Sequence, residues 1–235
     1  MNFQGKHLRH EFKYYIHPHE YSALRTRLSG VLSLDGHSGS PDGYGIRSLY
    51  FDGPQDHSLY DKVNGVFGRE KYRIRIYDGS DKTIKLERKS KYGDYVCKEA
   101  AGLERAQYDR ILAGDASCLR DAEDALLQDF YQALGRGFRP AAIVDYEREA
   151  YVYGPSDVRI TFDKKLSAGI NTYDMFDEGL VLLEGLDAAR TIMEIKFNAF
   201  LPELVRVLVQ PQAHQRSAIS KYVICRETGM RHFKL

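Results

Sequence analysis

The chain has 235 residues, 43% of them hydrophobic and 29% charged, with 34 Lys and Arg against 33 Asp and Glu. That is enough apolar material for one sizeable domain, and it excludes a disordered chain. No apolar run reaches the ~18 residues of a membrane-spanning helix, the first residues hold no apolar signal core, and Cys97, Cys118 and Cys225 form no CxxC pair; a cytoplasmic protein without zinc knuckle or disulfide framework is expected.

In chain order, Arg9 to Ile16 alternates with period two and predicts a strand. The stretch 19–32 after Pro18 sets Tyr21, Leu24, Leu28 and Leu32 at helical spacing, with Gly30 near its end. Residues 36–45 have loop composition. A second strand covers Ile46 to Asp52, followed by a short helix or turn over 56–65. Two strongly alternating segments, 70–79 and 82–91, flank the turn-forming run Asp78-Gly79-Ser80-Asp81. Another strand is expected over 94–98, then helix over 103–135 with a break near Gly114. Strands resume at 142–153, 158–166, 180–184 and 190–197, and 201–209 and 217–227 read as helical. With no repeat or linker, the chain reads as a single α+β domain over 1–235, with about eight strands.

The neutral total conceals an uneven distribution. Five carboxylates and no Lys or Arg lie between Leu166 and Ala189, so the bases concentrate in the strands. A basic nucleic-acid-binding domain would show its charge in the total, so nucleic acid is not an expected partner. Lys71, Arg73 and Arg75 share one strand face, and Lys85, Glu87, Lys89 and Lys91 share another. Like charges opposite one another destabilise a sheet unless an anion neutralises them. Lys13 stands beside Glu11, Arg159 beside Thr161 and Asp163, and Lys196 beside Glu194. Arg47 and Arg148 have apolar or aromatic neighbours on their own faces, so each needs a buried partner. Singly, these are ordinary ion pairs. Together they fit a closed barrel whose interior alternates with its exterior and is lined by bases and a few acids. Such a lumen suits a phosphate polyanion, held by Arg forks and Lys point charges, with carboxylates left for Mg²⁺ or Mn²⁺.

The segments RHEFKY, IRSLYFD, YRIRIY, LERKSK, DYEREAY, VRITFD, MEIKF and SKY occur here in the order of the VTC (vacuolar transporter chaperone) domain, and the chain resembles that family from about residue 6 to 226. The family is the polyphosphate polymerase branch of the CYTH-like triphosphate tunnel metalloenzymes. The resemblance implies a closed barrel of eight antiparallel strands with flanking helices. It also implies synthesis of polyphosphate from the γ-phosphate of ATP with a divalent metal, usually manganese. Position by position, it implies phosphate contacts from Lys13, Arg47, Arg73, Arg75, Lys89, Lys98, Arg148 and Arg159. Glu194 matches the metal-binding glutamate, and Lys221 a lysine that closes the tunnel. Strand facing adds Lys85 and Lys196 as phosphate ligands, and Glu87 and Glu11 as metal ligands. Lys13, Arg73, Arg75, Lys89, Arg148, Arg159 and Lys221 are the expected catalytic set.

One departure bears on chemistry. Hydrolase and cyclase relatives open with E-x-E-x-K, whereas this chain reads Arg9-His10-Glu11-Phe12-Lys13. A base replaces the first carboxylate, which disfavours two-metal activation of water and favours transfer to another phosphate. The alternatives are an inorganic triphosphatase or tripolyphosphatase, and a non-catalytic module that binds polyphosphate or inositol phosphates. No P-loop or dinucleotide fingerprint occurs. The expected ligands are ATP and polyphosphate, and any membrane link would require a separate partner protein. Among 17 tyrosines, none is marked as a base-stacking ring.

Overall fold

The computed structural model describes residues 2–3, 6–36, 38, 40, 42–187, 190–210 and 213–232. Residues 37, 39 and 41 of the expected 36–45 loop therefore lie outside the description. Eight strands carry the architecture: β1 (Arg9–Ile16), β2 (Tyr44–Asp52), β3 (Arg69–Tyr77), β4 (Ser80–Tyr92), β5 (Tyr95–Leu103), β6 (Arg139–Tyr153), β7 (Val158–Gly169) and β8 (Thr191–Phe197). All pairings are antiparallel, in the order β7-β8-β1-β5-β4-β3-β2-β6, and β6 pairs back onto β7. The sheet is thus a closed barrel, and closure removes the free edges of its strands. The joint between β1 and β5 is the shortest, with only Arg9↔Val96 and His10↔Tyr95 in register.

Among the described residues six α-helices flank the barrel: α1 (Pro18–Ser29), α2 (His57–Val63), α3 (Arg105–Leu112), α4 (Ala125–Gly135), α5 (Glu203–Val209) and α6 (Lys221–His232). Local chemistry sets their ends. His17 caps α1 in a box with Glu20, which assigns this histidine to the fold, and Gly30 stands just past the last turn. The β3–β4 hairpin turns on Asp78-Gly79, with φ of 49° and 67°. That is the mirror-image turn that asparagine- or aspartate-glycine pairs favour.

The apolar faces of the strands point outward. Leu49, Phe51, Ile74 and Leu86 pack beneath Tyr108, Ile111 and Phe130 of α3 and α4. On the other side Ile16, Ile160, Phe162 and Ile195 meet Leu24 and Leu28 of α1 and Val205 of α5. Each fully buried large side chain contributes about 1.5–3 kcal/mol, so the helices hold the barrel from outside. The interior is left largely to charged side chains, except where Ile46, Tyr50, Val144, Tyr146 and Ile192 on inward strand faces cluster with Tyr222 and Cys225 of α6.

Three expected elements differ. The 180–184 strand shrinks to Leu182–Glu184, pairs only with the end of β7 and is exposed, so it stays outside the barrel. The 94–98 strand extends to Leu103, because β4 offers partners along that whole length. The helix expected over 217–227 begins only at Lys221; before it, the Ser217 N–H donates to the Lys13 carbonyl, and residues 217–220 run along the barrel wall instead of coiling.

Candidate active site

The barrel encloses a cavity of about 970 Å³, and among the described residues sixteen Lys and Arg side chains and five carboxylates line it, a surplus of eleven basic groups. On β3 every second residue from Arg69 through Lys71, Arg73 and Arg75 to Tyr77 reaches it. At about 3.4 Å per residue this lining is roughly 27 Å long. Lys85, Lys89 and Lys91 continue it on β4 and Lys98 on β5. Arg9, Glu11 and Lys13 enter from β1, Arg148 from β6, Arg159 from β7, Glu194 and Lys196 from β8, and Lys221 from α6.

One wall is built of arginines. The Arg73 guanidinium donates to Glu87 at 2.7 Å and to the Tyr50 hydroxyl at 2.7 Å. Arg75 donates to Ser48 and to the Tyr146 hydroxyl, each at 3.2 Å. Lys98 donates to the other oxygen of Glu87 at 3.0 Å. Burial opposes the charge on each group, and proximity overcomes it: Arg75, Arg73 and Lys98 hold Glu87 well below the usual carboxylate range, and the Arg73 pKa is raised well above its ordinary value.

The opposite wall alternates lysine and carboxylate. The β1–β8 register places Lys13 against Glu194 and Glu11 against Lys196. Lys13 Nζ lies 3.5 Å from Glu11 and 3.3 Å from Glu194, while Lys196 Nζ lies 3.6 Å and 3.0 Å from the same two. Lys89 adds 2.7 Å to Glu11. Lys221 bridges Glu194 at 2.6 Å and Asp163 at 2.5 Å, and Arg148 grips Asp163 with two bonds of 2.6 and 2.7 Å. Burial resists ionisation of Glu11 and Glu194, yet the surrounding lysines hold both far below the carboxylate range. Neighbouring carboxylates overcome burial at Lys13 and Lys221 and raise both, whereas two other lysines respond differently from the arginines. Burial lowers Lys89 to about 7 and Lys196 to about 8, and the neighbouring carboxylates only partly offset this. Lys71, 4.5 Å above the Tyr222 ring, is likewise lowered to about 7 by burial.

Twelve of the fourteen residues expected at the site line this one cavity: Glu11, Lys13, Arg73, Arg75, Lys85, Lys89, Lys98, Arg148, Arg159, Glu194, Lys196 and Lys221. Arg47 does not. It lies on the outward face of β2, donating to Asp145 at 2.7 Å and to the Met175 carbonyl at 2.8 Å, and this placement does not suit a phosphate contact. The even-numbered residues Tyr44, Ile46 and Tyr50 of that strand face the lumen instead. Glu87 is fully buried behind Arg73 and Lys98, so it orients the bases and is not placed to hold a metal. Sequence reasoning left Asp163 out of the site, although it shares the face of Arg159; it is the fully buried counter-charge of Arg148 and Lys221. Lys71 and Arg9 were legible from alternation as cavity-facing. Residues 217–220 were not, because their composition suggests helix.

Among the described residues, no three His, Cys, Asp or Glu side chains cluster as a metal cage of protein ligands alone. Glu11 and Glu194 instead form a half-site: two cavity-facing carboxylates sharing Lys13 and Lys196. Such a pair fits Mg²⁺ or Mn²⁺, which bind through one or two carboxylates and complete their shell with phosphate oxygens and water.

A closed eight-stranded barrel around a cavity lined by bases is the triphosphate tunnel fold. Solved structures share it: an adenylyl cyclase-like protein from Hippeastrum, described as having a dominant triphosphatase activity, superposes with a TM-score of 0.57 at 15% identity over 94% of this chain and 95% of its own. A provisionally assigned adenylate cyclase from Bacillus halodurans gives 0.51 at 14% identity over 89% of each chain. A similarly assigned protein from Vibrio parahaemolyticus gives 0.51 at 13% over 93% and 98%. No curated protein matches in sequence. The VTC domain profile matches residues 8–229, and the chain belongs to the VTC domain family.

Proposed function

We propose that the protein is a polyphosphate polymerase, transferring the γ-phosphate of ATP to the end of an inorganic polyphosphate chain. The observation that carries this reading is the extent of the basic lining: around the cavity the described basic side chains outnumber the carboxylates by eleven, and they run the whole length of β3, more than one triphosphate occupies. Beyond Arg73 and Arg75 the cations Lys71, Arg69, Lys91 and Arg9 continue, so a second phosphate chain has ligands in line with the first. Arg9 also stands where hydrolytic relatives carry a carboxylate.

The chemistry asks chiefly for position and positive charge. An oxygen of the chain's terminal phosphate forms a bond to the γ-phosphorus, the bond from that phosphorus to the β–γ bridging oxygen breaks, and ADP leaves with the electron pair. Arg73, Arg75, Arg148 and Arg159 supply fixed charge and bidentate geometry. Lys13, Lys89 and Lys196 exchange their carboxylate partners for phosphate oxygens. A divalent cation on Glu194 and Glu11 would add positive charge among the triphosphate oxygens.

Incubation of the purified protein with ATP and Mn²⁺ or Mg²⁺, followed by a gel for long polyphosphate and an assay for ADP, tests the reading. ADP together with a polymer ladder is expected. Orthophosphate alone would assign a triphosphatase, and tight binding without turnover would assign a sensing module.

A further inference from the structure

The two ends of the cavity differ chemically. Toward one end lie Arg9, Lys62, Arg69, Lys91 and Arg216, with Asp94 as the acid. Toward the other, at the β3–β4 turn, the lining changes character. Tyr77 stands one strand step, about 6.8 Å, beyond Arg75. The Tyr44 ring lies 6.1 Å from it at a 49° tilt. Asp78 follows directly in the turn, where it accepts the Gly45 N–H at 2.7 Å and so fixes the turn against β2. Asp35 accepts from Arg159 at 2.7 Å, and the same guanidinium donates to the Tyr44 hydroxyl at 3.0 Å.

A bare phosphate chain gains nothing from aromatic rings and is repelled by carboxylates. A nucleoside suits both: a base offers a π-face to tyrosine, and sugar hydroxyls or a base amino group donate to a carboxylate. We propose that the turn end of the cavity is a nucleoside subsite, with Tyr77 stacking on the base and Asp78 accepting from the sugar or base, while the triphosphate extends inward past Arg75 to Arg73. This inference rests on the reading of a nucleoside triphosphate as phosphoryl donor. Because every base has a π-face, the subsite should distinguish nucleotides from inorganic chains more strongly than it distinguishes one base from another.

The test compares ATP with inorganic tripolyphosphate, which carries the same triphosphate without the nucleoside, by calorimetric titration. Tyr77→Ala is expected to weaken ATP about tenfold, within the range for base stacking, and to leave tripolyphosphate within twofold. Tyr77→Phe, which keeps the ring, should retain ATP affinity. Tyr77→Leu preserves apolar bulk at the turn and replaces the alanine variant if that one melts early. Equal losses for both ligands, or none for ATP in either the alanine or the leucine variant, would overturn the subsite. Wild-type protein binding neither ligand would overturn the tunnel reading with it. Tyr77-dependent ATP binding with no polymer formed would uphold the subsite and remove only the polymerase.

Discussion

The two walls of the cavity solve the same electrostatic problem differently. On the β3 wall, half-buried Arg73 and buried Arg75 pack against Glu87, Tyr50 and Tyr146, and their charge is fixed at any ordinary pH. On the β1–β8 side, Lys89 and Lys196 face the cavity with their affinity for a proton lowered by burial to about 7 and about 8. One wall is a permanent anion cradle; on the other, Lys13 and Lys221 are held charged by Glu11, Glu194 and Asp163, while Lys89 and Lys196 take on charge as an anion arrives. The difference follows from chemistry: a guanidinium cannot shed its proton in a protein, while an ammonium does so readily when desolvated.

The sharpest way to break this contrast is at the carboxylates of the lysine wall. Glu194→Gln should reduce turnover below detection yet leave tripolyphosphate binding intact or tighter, because it removes an anionic group from among four cations. Unchanged turnover in a discontinuous ADP assay would remove Glu194 from the chemistry. On the arginine wall, Arg73→Ala with Arg75→Ala should cost at least about a hundredfold in tripolyphosphate affinity, since each charge-assisted bond contributes ~1.5–3 kcal/mol. A collapsed melting temperature without a specific binding defect would instead make the pair structural.

The lysines lowered by burial, Lys71 on β3 and Lys89 and Lys196 across the cavity, give a pH signature. Lys71, Lys89 and Lys196 bind protons less tightly in the empty fold, at about 7 to about 8, than in the unfolded chain, near 10.4. Between those values the unfolded state holds more protons, so the melting temperature of the free protein should rise as pH climbs from 7 toward 10. Tripolyphosphate recharges these lysines, so binding at pH 8.5 should take up protons, seen as heats that depend on the buffer's ionisation enthalpy. Proton-neutral binding would place the lysines in their charged state before the ligand arrives. The smallest effect belongs outside the cavity: Arg47→Ala should leave turnover within twofold and cost about 0.5–1 kcal/mol of stability, as a partly exposed ion pair does. A strong loss of phosphate affinity would return Arg47 to the site.

The walls were legible in the sequence to the degree that alternation was clean. Lys71-Tyr72-Arg73-Ile74-Arg75-Ile76 separates charge from apolar bulk, so its facing follows directly, and the barrel follows from repeating that pattern. In Ile46-Arg47-Ser48-Leu49-Tyr50-Phe51 both faces carry large apolar or aromatic groups. Period two then fixes the strand but not its inward side, so alternation offers no check on the phosphate contact that the family resemblance implies for Arg47. Asp163 was hidden for another reason. It matters through Arg148 on a neighbouring strand and Lys221 on a distant helix, partners that only the register brings together. The stretch 217–220 reads as helix by composition, whereas a long-range bond to Lys13 decides its conformation.

The order of strands around the barrel also governs how the chain can be made. β1 takes nearly all its pairing from β8, at the other end of the sequence, and only two residue pairs from β5. The enclosure therefore cannot close until residues 191–197 have left the ribosome, and the N-terminal strand waits unpaired through most of synthesis. Contacts this distant in sequence close slowly. A nascent or truncated chain ending before Thr191 presents the open edges of β1 and β7 together, and strand edges of this kind are what drives chains to associate with one another.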